Sequence, residues 1–124
     1  MIERAALLAV AVAAIVFLGA GLSGARAEDA LFRLGFGKPD VAQAERLEAK
    51  AGRATPGERR VLLLGRVRQN AGDDAGAAEL ARGATRREPE NAEAWLLLSR
   101  TAQGAEARRA AQRLRELVPP VPVP

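Results

Sequence analysis

The chain of 124 residues contains no cysteine and no histidine. Without cysteine there can be neither a disulfide framework nor a thiolate metal site. Without histidine the commonest general base and metal ligand is missing as well. The Asp and Glu residues are scattered over predicted helix starts and exposed faces, where the helix dipole and solvent explain their presence without a catalytic role. We therefore expect a protein that is not an enzyme and that has no catalytic residue, no bound metal and no cofactor.

Aromatic residues are also scarce, with three Phe, one Trp and no Tyr. The apolar content is mainly Ala and Leu, which favours helices packed through small side chains and predicts an all-α fold. The 19 basic residues are all arginine except Lys38 and Lys50. Acidic residues are interspersed among them and no aromatic residues alternate with them, so the pattern indicates a solvated helical surface and no nucleic-acid partner.

The N-terminal segment is the one long apolar run, because residues 5–25 contain no charge. A cleaved signal peptide would end at the small-residue pattern Ala25-Arg26-Ala27. An uncleaved membrane anchor needs about 20 apolar residues, and this run is just long enough. Both interpretations of residues 1–27 stay open. Either one predicts an extracytoplasmic protein, at a bacterial periplasm or cell surface, that is secreted or membrane-anchored through an N-terminal transmembrane helix.

A third interpretation of this segment is weaker. Gly19, Gly21 and Gly24 fit the G-x-G-x-x-G pattern of dinucleotide sites. That pattern binds a cofactor only between a strand and a helix of a βαβ unit, and no second strand is predicted downstream. Residues 28–39 follow as a predicted linker, whose apolar side chains either cover the first helix of the next domain or lie at a membrane interface.

An internal repeat follows. Shifting the sequence by 34 residues aligns residues 61–69 with residues 95–103. In this alignment Leu62-Leu63-Leu64 matches Leu96-Leu97-Leu98, and Arg66 matches Arg100. Start and stop signals agree with this shift. Thr55-Pro56-Gly57-Glu58 predicts a helix start with a capping box, and the helix should end near Asn70 to Gly72. Three further helices are predicted: Ala75 to Arg87 capped by Asp73 or Asp74, Ala92 to Gln103 capped by Asn91, and Ala105 to Leu117.

These residues resemble the tetratricopeptide repeat (TPR) family, whose unit is a pair of antiparallel helices in about 34 residues. The first unit, residues 58–91, matches the family pattern at Val61, Leu64-Gly65, Gly72-Asp73, Ala77, Ala84 and Pro89. It departs from the family at Arg68 and Ala81, where larger aromatic residues are usual. The second unit opens with Trp95, Leu98 and Ser99, lacks about four residues in its hairpin loop, and continues with Ala107, Ala111, Leu114 and Pro119.

The resemblance implies the domain organisation. Residues 40–119 are expected to form a TPR-like domain of about five short antiparallel helices, and residues 120–124 a Pro-rich tail. Asp40 to Ala51, with Ala44 and Leu47, is the expected second half of a degenerate unit. The fold class is therefore an N-terminal hydrophobic helix followed by short antiparallel helical hairpins, a fragment of an α-solenoid.

The resemblance also implies a binding surface, because the first helix of each TPR pair lines the concave face. The residues expected there are Arg59, Leu62, Leu63, Arg66, Asn70, Glu93, Leu96, Leu97 and Arg100. An apolar strip between two arginines suits a peptide that carries apolar side chains and an acidic or carboxylate group. The alternative is that these leucines only pack against the helix that begins near Asp40.

The predicted function is therefore a non-enzymatic protein–protein interaction module at the extracytoplasmic face of a membrane. The alternative is a structural accessory subunit of a membrane protein complex, which would contact its partners through the N-terminal helix.

Overall fold

The structure is a computed structural model that describes residues 2–52 and 57–120, with side chains from Val10 onward. In this part of the chain all regular secondary structure is α-helical, and short turns join the helices. It contains no strand, as the composition predicted. Its helices are α1 Ile2–Phe36, α2 Val41–Gly52, α3 Arg59–Asn70, α4 Asp74–Arg87, α5 Ala92–Thr101 and α6 Gly104–Leu117.

Helix α1 is much longer than the others. Its 35 residues extend over about 50 Å at 1.5 Å per residue. The part from Val10 to Phe36 is long and apolar enough to cross a membrane, and only 11% of its most apolar window is buried. Every described side chain from Val10 to Leu22 is exposed to solvent. The part of α1 from Val10 to Leu22 therefore projects away from the other helices.

The last third of α1 belongs to the helical domain. Gly24, Ala27, Leu31 and Gly35 are buried at intervals of three and four residues, which is the spacing of one helix face. This face packs against α2 and α3. The structure thus differs from the expected linker at 28–39, since the chain stays helical to Phe36 and only residues 37–40 connect α1 to α2.

The helices pack as consecutive pairs. α1 packs against α2, α3 against α4 and α5 against α6, and each pair is joined by a short connection that reverses the chain. Adjacent pairs meet through α2 with α3 and α4 with α5, and through the first helices, α1 with α3 and α3 with α5. Helix α3 therefore occupies the centre of the domain.

Two apolar clusters lie on opposite sides of α3. The first joins α3 to α4, α5 and α6 through Leu62, Ala78, Ala81, Ala84, Ala94, Leu97, Leu98 and Ala110. The second joins α3 to α1 and α2 through Leu31, Ala44, Leu63, Leu64 and Val67. Consecutive leucines of α3 thus serve different interfaces, because residues 62 and 63 lie about 100° apart around a helix.

Small residues set the distance between helices. Ala77, Ala81 and Ala84 of α4 are fully buried, as are Ala44 and Ala51 of α2. Gly65 of α3 lies so close to α5 that a Cβ atom there would come within 2.5 Å of Leu97 Cδ2. Such contacts bring helix backbones together and allow a core with few aromatic side chains.

The predicted helix signals after residue 70 are confirmed. The Asp73 carboxylate accepts a hydrogen bond from Gly76 N at the start of α4, and the Asn91 side chain accepts from Glu93 N and Ala94 N at the start of α5. Gly72 has a positive φ of 84° immediately after α3, as a glycine stop requires. Helix α5 ends at Thr101, two residues earlier than expected.

The start of α3 differs from the sequence expectation. Its first residue is Arg59, and Glu58, which precedes it, makes no side-chain cap hydrogen bond. Glu58 instead binds Arg87 at the end of α4, through Oε1 at 2.6 Å and Oε2 at 2.8 Å. The expected capping residues Thr55 and Pro56 lie outside the described residues.

Candidate protein-binding surface

A shallow groove runs between α3 and α5, on the side where the first helices of successive pairs meet. It is lined by Arg66, Gln69, Glu93, Leu96, Leu97 and Arg100. Its volume of about 10 Å³ is far below the several hundred Å³ of a typical small-molecule site. We call this surface the α3–α5 groove. Any ligand here would have to lie across the surface.

Arg66 and Arg100 both line the α3–α5 groove, so the structure brings together the two arginines that the repeat aligns. Their electrostatic surroundings differ. The Arg66 guanidinium lies 2.9 Å from a carboxylate oxygen of Glu93, across the contact between α3 and α5. This guanidinium therefore already has an acidic partner within the protein.

Arg100 is exposed at the last turn of α5. Within residues 10–52 and 57–120 its side chain has no ion pair and no hydrogen bond. The groove therefore offers one uncompensated guanidinium, where the sequence predicted two. A guanidinium of this kind can donate two parallel hydrogen bonds to an incoming carboxylate.

Most of the leucines that were expected to form an apolar strip on the binding surface are instead buried in the hydrophobic core. Leu62, Leu63 and Leu97 have side chains that are at most 4% exposed, so they support the surface and do not contact a ligand. Leu63 packs in the cluster that contains Ala44 of α2, which agrees with the packing alternative stated for these leucines. Leu96 remains half-buried and lines the groove.

Leu62 and Leu96 are equivalent in the repeat but have different environments. Leu62 is covered by residues of α4 and α5, whereas no further helix pair follows α6 among the described residues to cover Leu96.

The two remaining predicted site residues, Arg59 and Asn70, contact α1. The Arg59 guanidinium pairs with Glu28 at 3.0 Å. The Asn70 amide donates a hydrogen bond to the Gly35 carbonyl oxygen at 2.7 Å, which satisfies one of the free carbonyl groups at the end of α1. Both side chains therefore fix the position of α1 beside α3.

Two aromatic residues that the sequence did not assign to the site extend the groove onto α1. The Phe36 ring is 66% exposed, and the Arg66 guanidinium carbon lies 5.8 Å from its centroid. Phe32 lies one turn earlier, and its ring centroid is 4.8 Å from that of Phe36. The i, i+4 spacing of the two Phe residues was the available signal, but their position beside α3 depends on the continuity of α1.

Ion pairs outside the groove account for many of the other arginines. Arg60 pairs with Glu48 of α2 at 3.0 Å, and Arg68 pairs with Asp73 at 2.7 Å and also with Glu45. Arg82 of α4 binds Glu106 of α6 through two hydrogen bonds of 2.6 and 2.9 Å. These arginines therefore connect neighbouring helices, where the sequence predicted only a solvated surface.

These pairs shift the ionisation of their carboxylates. Hydrogen bonds from Arg87, followed by the charges of Arg87 and Arg60, lower the pKa of Glu58 against the opposing effect of burial. Hydrogen bonds from Arg82 lower the pKa of Glu106. The Gly76 backbone N–H and then Arg68 lower the pKa of Asp73. All three carboxylates are thus held in the ionised form, as structural ion pairs and helix caps require.

Among the residues that the structure describes, no group of three or more Asp and Glu side chains could hold a metal ion. Comparison with known proteins adds no relative, because no protein-family model, no curated protein sequence and no solved structure matches the chain.

Proposed function

We propose that the chain is a non-enzymatic, TPR-like protein–protein interaction module that is anchored by α1 at the extracytoplasmic face of a membrane. The observation that carries this proposal is the α3–α5 groove, a surface between two equivalent helices that combines an unpaired arginine, Arg100, with the half-buried Leu96. The groove is continuous with the exposed rings of Phe32 and Phe36 on α1.

The order of helix contacts supports a TPR-like arrangement. Each first helix packs against its own second helix and against the first helix of the next pair, as expected for stacked helical hairpins. The pattern of buried alanines and partly buried leucines also repeats, because Ala44, Leu47 and Ala51 of α2 precede Ala77, Leu80 and Ala84 of α4 by 33 residues in each case. In this arrangement α1 and α2 form the first of three units.

The groove chemistry supports a peptide partner with an acidic and an apolar group. Arg100 would bind a carboxylate, and Leu96 and Phe36 would contact apolar side chains. The Arg66–Glu93 ion pair between these positions connects α3 to α5 and thereby helps to hold the two sides of the groove together.

The structure of α1 supports an uncleaved anchor over a cleaved signal peptide. Cleavage after Ala27 would remove Gly24 and Ala27, both buried against the domain, and would leave a first helix of only nine residues. An intact α1 instead supplies both an exposed apolar segment and the first helix of the domain. A continuous helix between the two would hold the domain at a fixed orientation to the bilayer.

Capture of partner proteins from solubilised membranes tests the proposal. The bait is the full chain with Arg100→Glu, and the matched control is Arg108→Glu, which makes the same charge change at an exposed position of α6. A hydrogen-bonded charge pair contributes about 1.5–3 kcal/mol, so we expect Arg100→Glu to weaken capture at least tenfold. Equal capture by wild type and both variants would contradict the groove as the binding surface.

A second candidate function is favoured by the distribution of exposed apolar side chains. Among the side chains that the structure describes, nearly all the large exposed apolar ones lie on α1, including Val16, Phe17 and Leu18, each more than 60% exposed. In an accessory subunit of a membrane complex these residues would contact partner helices, and the soluble helices would only complete the fold. Substitution of Arg100 would then leave capture unchanged.

A further inference from the structure

A cleft lies at the point where α1 leaves the helical domain and α2 ends beside it. Its volume is about 360 Å³. The lining consists of Gly19, Leu22, Ser23, Arg26, Ala27, Leu47 and Lys50. We call it the α1–α2 cleft. It is separate from the α3–α5 groove, which shares none of these residues.

The cleft contains two positive charges without a partner. Arg26 and Lys50 are exposed, and within the part of the chain that the structure describes neither side chain has an ion pair or a hydrogen bond. The acids that surround them are occupied elsewhere. The four acidic side chains described on α1 and α2 all pair with other arginines, Glu28 with Arg59, Asp29 with Arg33, Glu45 with Arg68 and Glu48 with Arg60.

Apart from Ser23, the rest of the cleft lining has no polar side chain, and it continues into the apolar part of α1. Leu22 is 61% exposed, and Leu47 and Ala27 complete the wall on the domain side. Arg26 is the first charged residue after the uncharged run of residues 5–25. With α1 in a bilayer, Arg26 and Lys50 would therefore lie at the depth of the lipid headgroups, where long basic side chains reach the interface.

We propose that the α1–α2 cleft binds the phosphate headgroup of an anionic phospholipid, through Arg26 and Lys50, with the acyl chains along the exposed face from Val10 to Leu22. This inference rests on the membrane anchoring proposed above. Charge complementarity carries it, because two cations without a partner lie beside an apolar surface that continues along α1. The bound lipid would fix the height of the domain above the membrane.

The test uses the full chain in nanodiscs that contain phosphatidylcholine and phosphatidylglycerol in equal amounts. Native mass spectrometry measures the ratio of the two lipids that remain bound after release from the nanodisc. The variant is Arg26→Gln with Lys50→Gln, and the control is Arg108→Gln with Arg109→Gln, which removes the same charge from exposed positions of α6. Arg26→Lys is the conservative variant, and circular dichroism checks that each protein is folded.

We expect wild type, the α6 control and Arg26→Lys to retain phosphatidylglycerol preferentially. The double cleft variant should lose this preference about thirtyfold, which corresponds to about 1 kcal/mol for each basic side chain. Equal retention of both lipids by folded wild type, or an unchanged preference in the folded double variant, would overturn the proposal.

Extraction of membranes with alkaline carbonate separates this proposal from the one on which it rests. Wild type and the double variant should both stay in the membrane fraction, because the apolar surface of α1 holds them there. Release of wild type would contradict membrane anchoring itself, and with it the lipid site, and would favour an acidic protein segment as the occupant of the cleft. Retention without lipid preference would contradict the lipid site alone.

Discussion

Glu58, at the start of α3, accepts two hydrogen bonds from the guanidinium of Arg87, at the end of α4, with distances of 2.6 and 2.8 Å. The Glu58 side chain is 10% exposed and that of Arg87 is 55% exposed. This pair closes the α3–α4 hairpin at the end opposite its loop. The hairpin is thereby fixed at both ends, since Asp73 caps α4 beside the loop.

We expect Glu58→Gln to lower the free energy of unfolding by about 1–2 kcal/mol near neutral pH. The loss is smaller than for a fully buried pair because water screens the exposed Arg87. Urea denaturation followed by the fluorescence of Trp95, the single tryptophan, measures it. Glu90→Gln is the control, because Glu90 is exposed in the connection between α4 and α5. A loss no greater than that of the control would contradict the structural role of the pair.

The same pair predicts a pH dependence. Because the folded protein lowers the pKa of Glu58 below its ordinary value of 4.5, the stabilisation is present above that value and is lost as the pH falls through the lower folded value. The difference in unfolding free energy between wild type and Glu58→Gln should therefore shrink toward zero in acid. Asp73 and Glu106 make wild type less stable in acid by the same mechanism. A difference that is constant with pH would contradict the assignment to Glu58.

Trp95 packs at the edge of the cluster between α4, α5 and α6, and its indole N–H donates to the Pro89 carbonyl oxygen at 2.8 Å. Because the side chain is only partly buried, we expect Trp95→Ala to destabilise the domain by about 2–3 kcal/mol, less than a fully buried Trp would. Trp95→Phe keeps most of the packing and should cost about 1 kcal/mol. Thermal unfolding measured by circular dichroism compares the three proteins. An unchanged Tm in Trp95→Ala would show that the indole does not contribute to the core.

The topology of the chain can be tested directly. We expect a reporter that is active only in the cytoplasm to be inactive when it is fused after Pro124, because α1 would carry the domain across the membrane. A reporter that is active only outside the cytoplasm, fused at the same residue, is the matched control and should be active. The opposite result for both fusions would place the domain in the cytoplasm.

Several features of the domain follow from the sequence because they depend on local chemistry. Asp73 and Asn91 cap helices because a short polar side chain can reach the free N–H groups of the first turn. Leu64 and Leu98, which the repeat aligns, are both buried because the same face of each first helix packs into the domain.

Other features depend on tertiary contacts that the local sequence does not encode. The composition of residues 28–39 predicts a linker, but Leu31 is buried against α2 and α3 and α1 stays helical to Phe36. Arg82 and Glu106 are 24 residues apart, so their pairing could not be predicted without the helix packing. Arg66 has an acidic partner and Arg100 has none for the same reason, because the tertiary packing brings Glu93 to Arg66 only.

Site-specific photo-cross-linking in intact membranes tests the central claim, that the α3–α5 groove binds a partner protein. A photoreactive phenylalanine analogue replaces Gln69, which lines the groove and leaves Arg100 in place. Equivalent replacements at Arg108 of α6 and Phe17 of α1 serve as controls. We expect a protein adduct of discrete mass from position 69 that disappears when Arg100→Glu is added, and no such adduct from position 108. A discrete adduct from position 17 alone would contradict the account and would make α1 the contact with the partner.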